Sequence, residues 1–151
     1  MIPRFGEPLR RGQHYRRRPG AYALLLRGDQ VLLTHQEKPV PEFQLPGGGI
    51  DPGEGALAAL HREVREETGW GISGIRRIGA YRRFVYMPDY NMWAEKICLI
   101  HVARPTVCYG APTEKGHRAV WQDIDKAIET LSSKSDRQFL SQVFGLRMPR
   151  K

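Results

Sequence analysis

Three glutamates, Glu63, Glu66 and Glu67, stand in the run ALHREVREETGW with Arg62 and Arg65 among them. At about 100° per residue on a helix they fall within an arc of roughly 100°, so three carboxylates converge on one side. Like charges at i, i+3 and i+4 repel by a few tenths of a kcal/mol per pair, and the arrangement gains nothing in stability unless something positive sits among them. The two arginines offset part of that repulsion, and a divalent cation offsets it better. Hard Mg²⁺ or Mn²⁺ takes oxygen ligands and leaves positions open to water and phosphate oxygens, which points to a phosphate ester as substrate. Ahead of the glutamates, Gly47-Gly48-Gly49 lets a backbone approach closely, and Gly53-Glu54-Gly55 adds a fourth carboxylate. A solvated acidic face is the plainer reading of a Glu-rich helix. The glycines weigh against it.

The elements that have to position these groups are short and clearly punctuated. Tyr22-Ala-Leu-Leu-Leu and Val31-Leu-Leu-Thr predict two antiparallel strands around a tight turn at Gly28-Asp29, and Phe43-Gln-Leu a third strand leading into the glycine-rich loop. The pattern from Gly55 to Thr68 is helical, with Leu57, Leu60 and Val64 as its apolar stripe and Gly69 as its stop. Ile72 to Val85 and Trp93 to Val107 read as two long paired strands joined through Pro88-Asp89-Tyr90-Asn91, and Arg118 to Trp121 as a last short one. Helices follow over Asp123 to Leu131, with Asp123 or Asp125 as cap, and over about Ser135 to Leu146, with Phe139, Leu140, Val143 and Phe144 inward. The order β-β-β-α-β-β-β-α-α predicts a mixed sheet covered by helices.

A chain of 151 residues, 40% hydrophobic and 26% charged, fits one folded domain rather than a disordered segment. No apolar run approaches the roughly 18 residues of a membrane span, and Cys98 and Cys108 suit neither a disulfide framework nor a CxxC zinc site. We therefore expect a cytoplasmic protein with no membrane partner. The formal net charge is +8, and residues 1–18 carry six arginines against one glutamate. That places the excess in a basic arm, read first as a solvated terminus and otherwise as a clamp for polyanions, ahead of a domain over 19–147 and a basic tail over 148–151. Its prolines and glycines argue against an amphipathic transit peptide.

Gly48, five residues, Glu54, seven residues, Arg62-Glu63-Val64, one residue, Glu66-Glu67, one residue, Gly69-Trp70 resembles the Nudix box, the signature of the Nudix hydrolase superfamily. Trp70 is the sole departure, standing where the pattern has an aliphatic residue at the anchored end of the helix. The resemblance implies a Nudix-type α/β/α sandwich, with a mixed sheet and the catalytic loop and helix packed on it. It also implies hydrolysis of a nucleoside diphosphate linked to another moiety, with divalent cations held by the box. By position, Glu63, Glu66 and Glu67 would be metal ligands, the Gly47 carbonyl a further ligand, Glu54 an outer partner and Arg62 an orienting group. For the general base the resemblance leaves Glu67, Glu63 and the loop residue Glu114 open. It leaves a homodimer open too, although no exposed apolar stripe demands one.

Substrate choice has to lie outside the box. Arg82, Arg83, Phe84 and Tyr86, with Tyr90 and Trp93, combine positive charge with aromatic faces near one turn and suit a base and a phosphate. The five histidines show no metal-ligand spacing, and His117 is read as a surface residue. The leading expectation is a pyrophosphohydrolase for a small nucleotide: a nucleoside triphosphate, a dinucleoside polyphosphate or a nucleotide sugar. A nucleic-acid substrate, the 5′ end of RNA, is the second reading, and a non-catalytic nucleotide-binding sensor the third. The complete set of box carboxylates argues against the sensor.

Overall fold

The computed structural model describes residues 1–145. Its strands are β1 (Arg16–Arg27), β2 (Gln30–Gln36), β3 (Glu42–Gln44), β4 (Gly47–Gly49), β5 (Trp70–Met87), β6 (Met92–Cys108) and β7 (His117–Asp123). The helices are α1 (Ala56–Thr68), α2 (Ile124–Thr130) and α3 (Lys134–Phe144), and a single 3-10 turn over Pro88–Tyr90 joins β5 to β6. The sheet order is β3-β2-β1-β6-β5, with β4 beside β1 and β7 beside β2. Only β1 and β6 run parallel, through ten residue pairs from Arg16↔Ala94 to Leu25↔Ala103, so the sheet is mixed as expected.

Alternation along the strands builds two apolar layers. On one face Leu24, Val31, Leu33, Leu45, Tyr81 and Ile100 pack under α2 and α3, which contribute Ile128, Leu131, Phe139 and Leu140. On the other, Ala21, Ala23, Leu25 and Leu32 meet Leu60 and Val64 of α1. The result is the α/β/α sandwich. No helix among the described residues is long and apolar enough to cross a membrane.

Several local expectations change. Leu57 is 54% exposed, because Ala56, Ala59 and Leu60 supply the inward positions of the first turn of α1. Gly47–Gly49, read as loop, forms β4 by pairing with Gly20, Ala21 and Tyr22 of β1. Asp123 occupies the N-cap position of α2 without capping it, and Asp125 accepts from the Lys126 N–H at 3.0 Å. Val143 is exposed, whereas Phe139 and Leu140 are buried as the stripe required. The end of α3 near Leu146 and the tail over 148–151 lie outside the described residues.

The basic arm is docked at its start. Phe5 N–H donates to the Arg82 carbonyl at 3.0 Å and Arg82 N–H to the Pro3 carbonyl at 2.9 Å. The Phe5 ring, 7% exposed, stacks on Tyr81 at 5.3 Å between centroids and approaches Phe139 at 6.4 Å. The boundary expected after residue 18 falls inside β1, since Arg16 to Arg18 already pair with Ala94 to Lys96. The chain is held there by one apolar anchor, backbone hydrogen bonds and a hydrogen bond from Ser135 Oγ to the Phe5 carbonyl; Arg4, Arg10, Arg11, Arg16 and Arg17 are exposed, and Arg18 is half-buried.

Candidate functional site

β1 and β2 pair only through Leu25↔Leu32, Leu26↔Val31 and Arg27↔Gln30. They then part: β1 takes β4 as its neighbour and β2 takes β3 and β7. The fork opens a cavity of about 440 Å³ with Gly47, Gly48, Glu63, Glu67, Glu114 and His117 on its wall.

The glycines of β4 make the carboxylate end of the cavity. At Gly47, φ is +143° and an added Cβ would lie 2.2 Å from the Ala21 carbonyl oxygen, so only glycine fits. That closeness lets the Gly47 N–H donate to Glu67 Oε1 at 2.9 Å. At Gly48, a Cβ would lie 2.6 Å from the Glu63 carboxyl carbon. α1 is stopped on the far side of the site by Gly69, left-handed at φ +81°, whose N–H donates to the Arg65 carbonyl at 2.9 Å.

Arg62 is the organiser of the acidic groups. Its Nε and Nη2 donate to Glu54 at 2.8 and 2.9 Å as a two-pronged pair, its Nη1 to Glu63 Oε1 at 2.9 Å and to Glu66 Oε2 at 3.4 Å, and Nη2 also to the Gly49 carbonyl at 3.2 Å. The hydrogen bonds from Arg62, aided by the Asp51 N–H, hold the Glu54 carboxyl down at about 2, and the pairing in turn raises the Arg62 pKa. Glu63 and Glu67 move the other way. Burial pushes Glu63 up against the opposing pull of Arg62, and burial pushes Glu67, only 5% exposed, well up despite the Gly47 hydrogen bond. Neighbouring carboxylates add to both shifts, Glu114 among them.

Glu114 reaches this cluster because its own N–H donates to the Glu66 carbonyl at 2.9 Å, tying the loop before β7 to α1. One oxygen each from Glu63, Glu66 and Glu114 can be chosen within 4.8 Å of one another, and so can one ligand atom each from Glu67, Glu114 and His117. His117, read as a surface residue, has a side chain only 7% exposed, with Nδ1 3.7 Å from Glu67 Oε2 and Nε2 3.8 Å from Glu114 Oε1. Thr34 Oγ1 donates to the Glu67 carbonyl at 3.3 Å and lies 3.0 Å from His117 Nδ1. Thr34 thus engages Nδ1, and Nε2 is turned towards Glu114. Thr34 faces His117 from β2 across β7, a pairing that no local sequence pattern announces.

The residues expected to choose the substrate divide between faces. Arg83 lines the cavity, as does Tyr90, and Tyr86 reaches only its rim, its ring packed on Trp93 at 5.3 Å. Arg82 and Phe84 turn away with the opposite pleat: Phe84 packs on Tyr15 at 4.7 Å, and Arg82 approaches Glu95 at 3.9 Å. Trp93 belongs to that outer cluster, with Arg10 stacked over it at 4.5 Å. The sequence reading missed Arg18, Tyr22 and Lys96, which line the cavity beside Arg83. Trp70 packs edge-on to Trp121 at 6.0 Å under the Arg27 guanidinium, so the larger ring is accommodated at the sheet edge.

The α/β/α sandwich and a carboxylate cluster held by one arginine under a glycine strand define an acidic site whose carboxylates could hold a cation. The chain belongs to the Nudix family: the NUDIX domain matches residues 16–143. It is 38% identical over 74 residues, 49% of this chain, to a Bacillus subtilis protein provisionally described as an 8-oxo-dGTP diphosphatase. It is 28% identical over 127 residues, 80% of this chain, to a CMP-5'-(N-acetyl-N-hydroxy-3-aminopropyl)phosphonate hydrolase of Streptomyces rubellomurinus. These matches span 50% and 59% of the two relatives' own lengths. Among solved structures, a NUDIX hydrolase from Nitrosomonas europaea superposes with a TM-score of 0.68 at 20% identity, over 89% of this chain and 93% of that one, a likeness of fold.

Proposed function

We propose that this protein is a divalent-metal-dependent pyrophosphohydrolase that cleaves a nucleoside diphosphate linked to another moiety by attack of water at phosphorus. The observation that carries the reading is a pair of adjoining ligand groups, Glu63–Glu66–Glu114 and Glu67–Glu114–His117, that share Glu114, brought to α1 across the fold. Glu63 and Glu67 are desolvated and repel each other, so the cluster suits an ion that takes oxygen ligands, Mg²⁺ or Mn²⁺. When bound, such an ion polarises phosphoryl oxygens and acidifies a coordinated water. Glu63, Glu66 and Glu67 would hold it, and the Gly47 carbonyl is a further candidate donor.

The protein's own groups then have definable tasks. Arg62 fixes the Glu63 carboxylate and, through Glu54, the turn before α1, so the ligands are oriented before substrate arrives. Gly47 N–H orients Glu67. Glu67, with its raised proton affinity, and Glu114, facing His117 Nε2, are the candidates to accept the proton of the attacking water; Glu63 is the third. Arg83, Tyr86 and Tyr90 support binding of the nucleotide's remaining parts. The two free thiols suit a reducing, cytoplasmic setting.

The test is a panel of nucleoside triphosphates, dinucleoside polyphosphates, nucleotide sugars and 5′-triphosphorylated RNA, each with Mg²⁺ and with Mn²⁺, products identified by mass. Cleavage between phosphoryl groups in at least one member is expected. Absence of turnover across the panel, or equal turnover in EDTA, contradicts the reading. The exposed arginines of the arm favour RNA ends as the second substrate class. Deleting residues 1–18 would remove Phe5 from the core and shorten β1, so the proper variant is Arg10 and Arg11 to Ser. Loss of RNA-end cleavage that grows steeply with salt supports that class.

A further inference from the structure

The cavity has a second charged end, opposite in sign to the first. Arg18 of β1 pairs with Lys96 of β6, and Lys96 pairs with Arg83 of β5, so three cations form one rung across three neighbouring strands. All three line the cavity. Directly opposed like charges destabilise a sheet, and the next rung shows how this fold avoids that: on the outer face Glu95 of β6 stands between the cations, 3.9 Å from both Arg17 and Arg82. Among the described residues, no carboxylate oxygen lies within 4.0 Å of the charged nitrogens of Arg18, Lys96 or Arg83.

The nearest polar neighbours are phenols, a hydroxyl and one occupied acid. Lys96 Nζ sits 5.7 Å from the Tyr22 ring centre, the Arg18 guanidinium 5.1 Å from that of Tyr90, and Arg83 Nη1 donates to Ser133 Oγ at 3.0 Å. Asp136, at the start of α3, accepts the Tyr81 hydroxyl. The rung keeps its charge: Tyr22 raises the Lys96 pKa against burial, and burial of Arg83 is outweighed by Asp136 and Tyr81. Cations withdrawn from water are ordinarily paired, and three half-buried ones beside one acid give this end of the cavity a positive rung.

We propose that Arg18, Lys96 and Arg83 form an anion subsite for a phosphoryl group other than the diphosphate addressed by the glutamates. The backbone of Tyr22 pairs with Gly47 at the acidic end while its ring stands beside Lys96, so one residue joins the two ends. The substrate class this selects is a nucleotide carrying an additional phosphoryl group on the far side of the scissile bond. Free inorganic phosphate, as product or inhibitor, offers the same chemistry. The substrate class rests on the proposed hydrolase reading; the anion site itself does not.

The experiment is inorganic phosphate binding by calorimetry and thermal shift in EDTA, where the bare carboxylates repel anions and the rung variants report on the cationic end. One saturable site and a phosphate-dependent rise in Tm are expected for the full chain. Lys96→Gln, and independently Arg83→Gln, should weaken binding at least tenfold, whereas Arg76→Gln on the exposed part of β5 should match the parent. Phosphate binding unchanged in both rung variants, or lost equally in Arg76→Gln, overturns the anion site whether or not any nucleotide is hydrolysed. With Mg²⁺ and an active substrate, Lys96→Gln should raise KM for the congener with the additional phosphate and leave kcat in place. Equal KM effects on both congeners overturn the substrate class and leave free phosphate as the occupant.

Discussion

Gly48→Ala isolates the fit between β4 and the carboxylate helix. The added Cβ would stand 2.6 Å from Glu63 Cδ and 2.7 and 2.8 Å from its two oxygens, where ordinary contact begins near 3.4 Å. Glu63 therefore has to withdraw by about 0.8 Å, the difference between 3.4 and 2.6 Å, and its 2.9 Å hydrogen bond to Arg62 is stretched or lost. Gly48 has no positive φ, so alanine adds no backbone strain there. Misplacement of a reacting group by about 1 Å costs on the order of 10²-fold in rate, equivalent to about 2.7 kcal/mol of transition-state stabilisation. The expected outcome is a kcat/KM reduced by about two orders of magnitude with Tm within roughly 3 °C of the parent, since the disturbed side chain lines a cavity. Kinetics on the best substrate of the panel, with divalent-ion affinity by calorimetry, provide the assay. A variant with more than a third of parental kcat/KM would refute the claim that β4 sets the Glu63 position for catalysis.

Three further outcomes follow from the same geometry. Glu67→Gln should stabilise the metal-free protein above neutral pH while removing activity: the folded Glu67 pKa is raised above its ordinary 4.5, so its contribution is fully present below pH 4.5 and is lost as pH rises through the folded value. Melting curves of parent and variant in EDTA should converge near pH 4.5 and separate towards pH 8. Arg62→Lys keeps the charge but not the two-pronged contact, so the Glu54 carboxyl should climb from about 2 towards 4.5, read by NMR titration. Because that shift is downward, its stabilising effect is present above pH 4.5 and fades as pH falls towards 2; the two proteins should differ most at neutral pH. Tyr81→Phe removes the buried donor to Asp136 and should cost about 1–3 kcal/mol, a fall in Tm of roughly 2–4 °C per kcal/mol.

The carboxylate helix was legible because its information is local. Arg62, Glu63, Glu66 and Glu67 lie within two turns of one helix, whose period brings them together, and Glu54 in the turn just before it is reached by Arg62. The strands that carry both layers were visible as apolar runs over Tyr22 to Leu26 and Val31 to Thr34; the structure divides their residues, Leu24, Val31 and Leu33 to one face and Ala23, Leu25 and Leu32 to the other. The rest depends on pairing between distant segments. Three consecutive glycines carry no strand propensity, and β4 exists because β1 offers Gly20 to Tyr22 as partners. The Arg18–Lys96–Arg83 rung follows from two registers across β6, and the same pleat takes Arg82 and Phe84 away from the cavity. His117 looked like a surface residue because its partners, Thr34 and Glu67, are remote in sequence and meet only when β2 pairs with β7.

The central claim is metal-dependent attack of water at phosphorus under the control of the box glutamates. Its most direct measurement is turnover in ¹⁸O-labelled water with Mg²⁺, comparing parent and Glu67→Gln and locating the label by mass. One ¹⁸O in a single phosphoryl product, no turnover in EDTA and a rate lowered at least a hundredfold in the variant are predicted. Label in the non-phosphoryl fragment, or a variant as fast as the parent, would contradict the account.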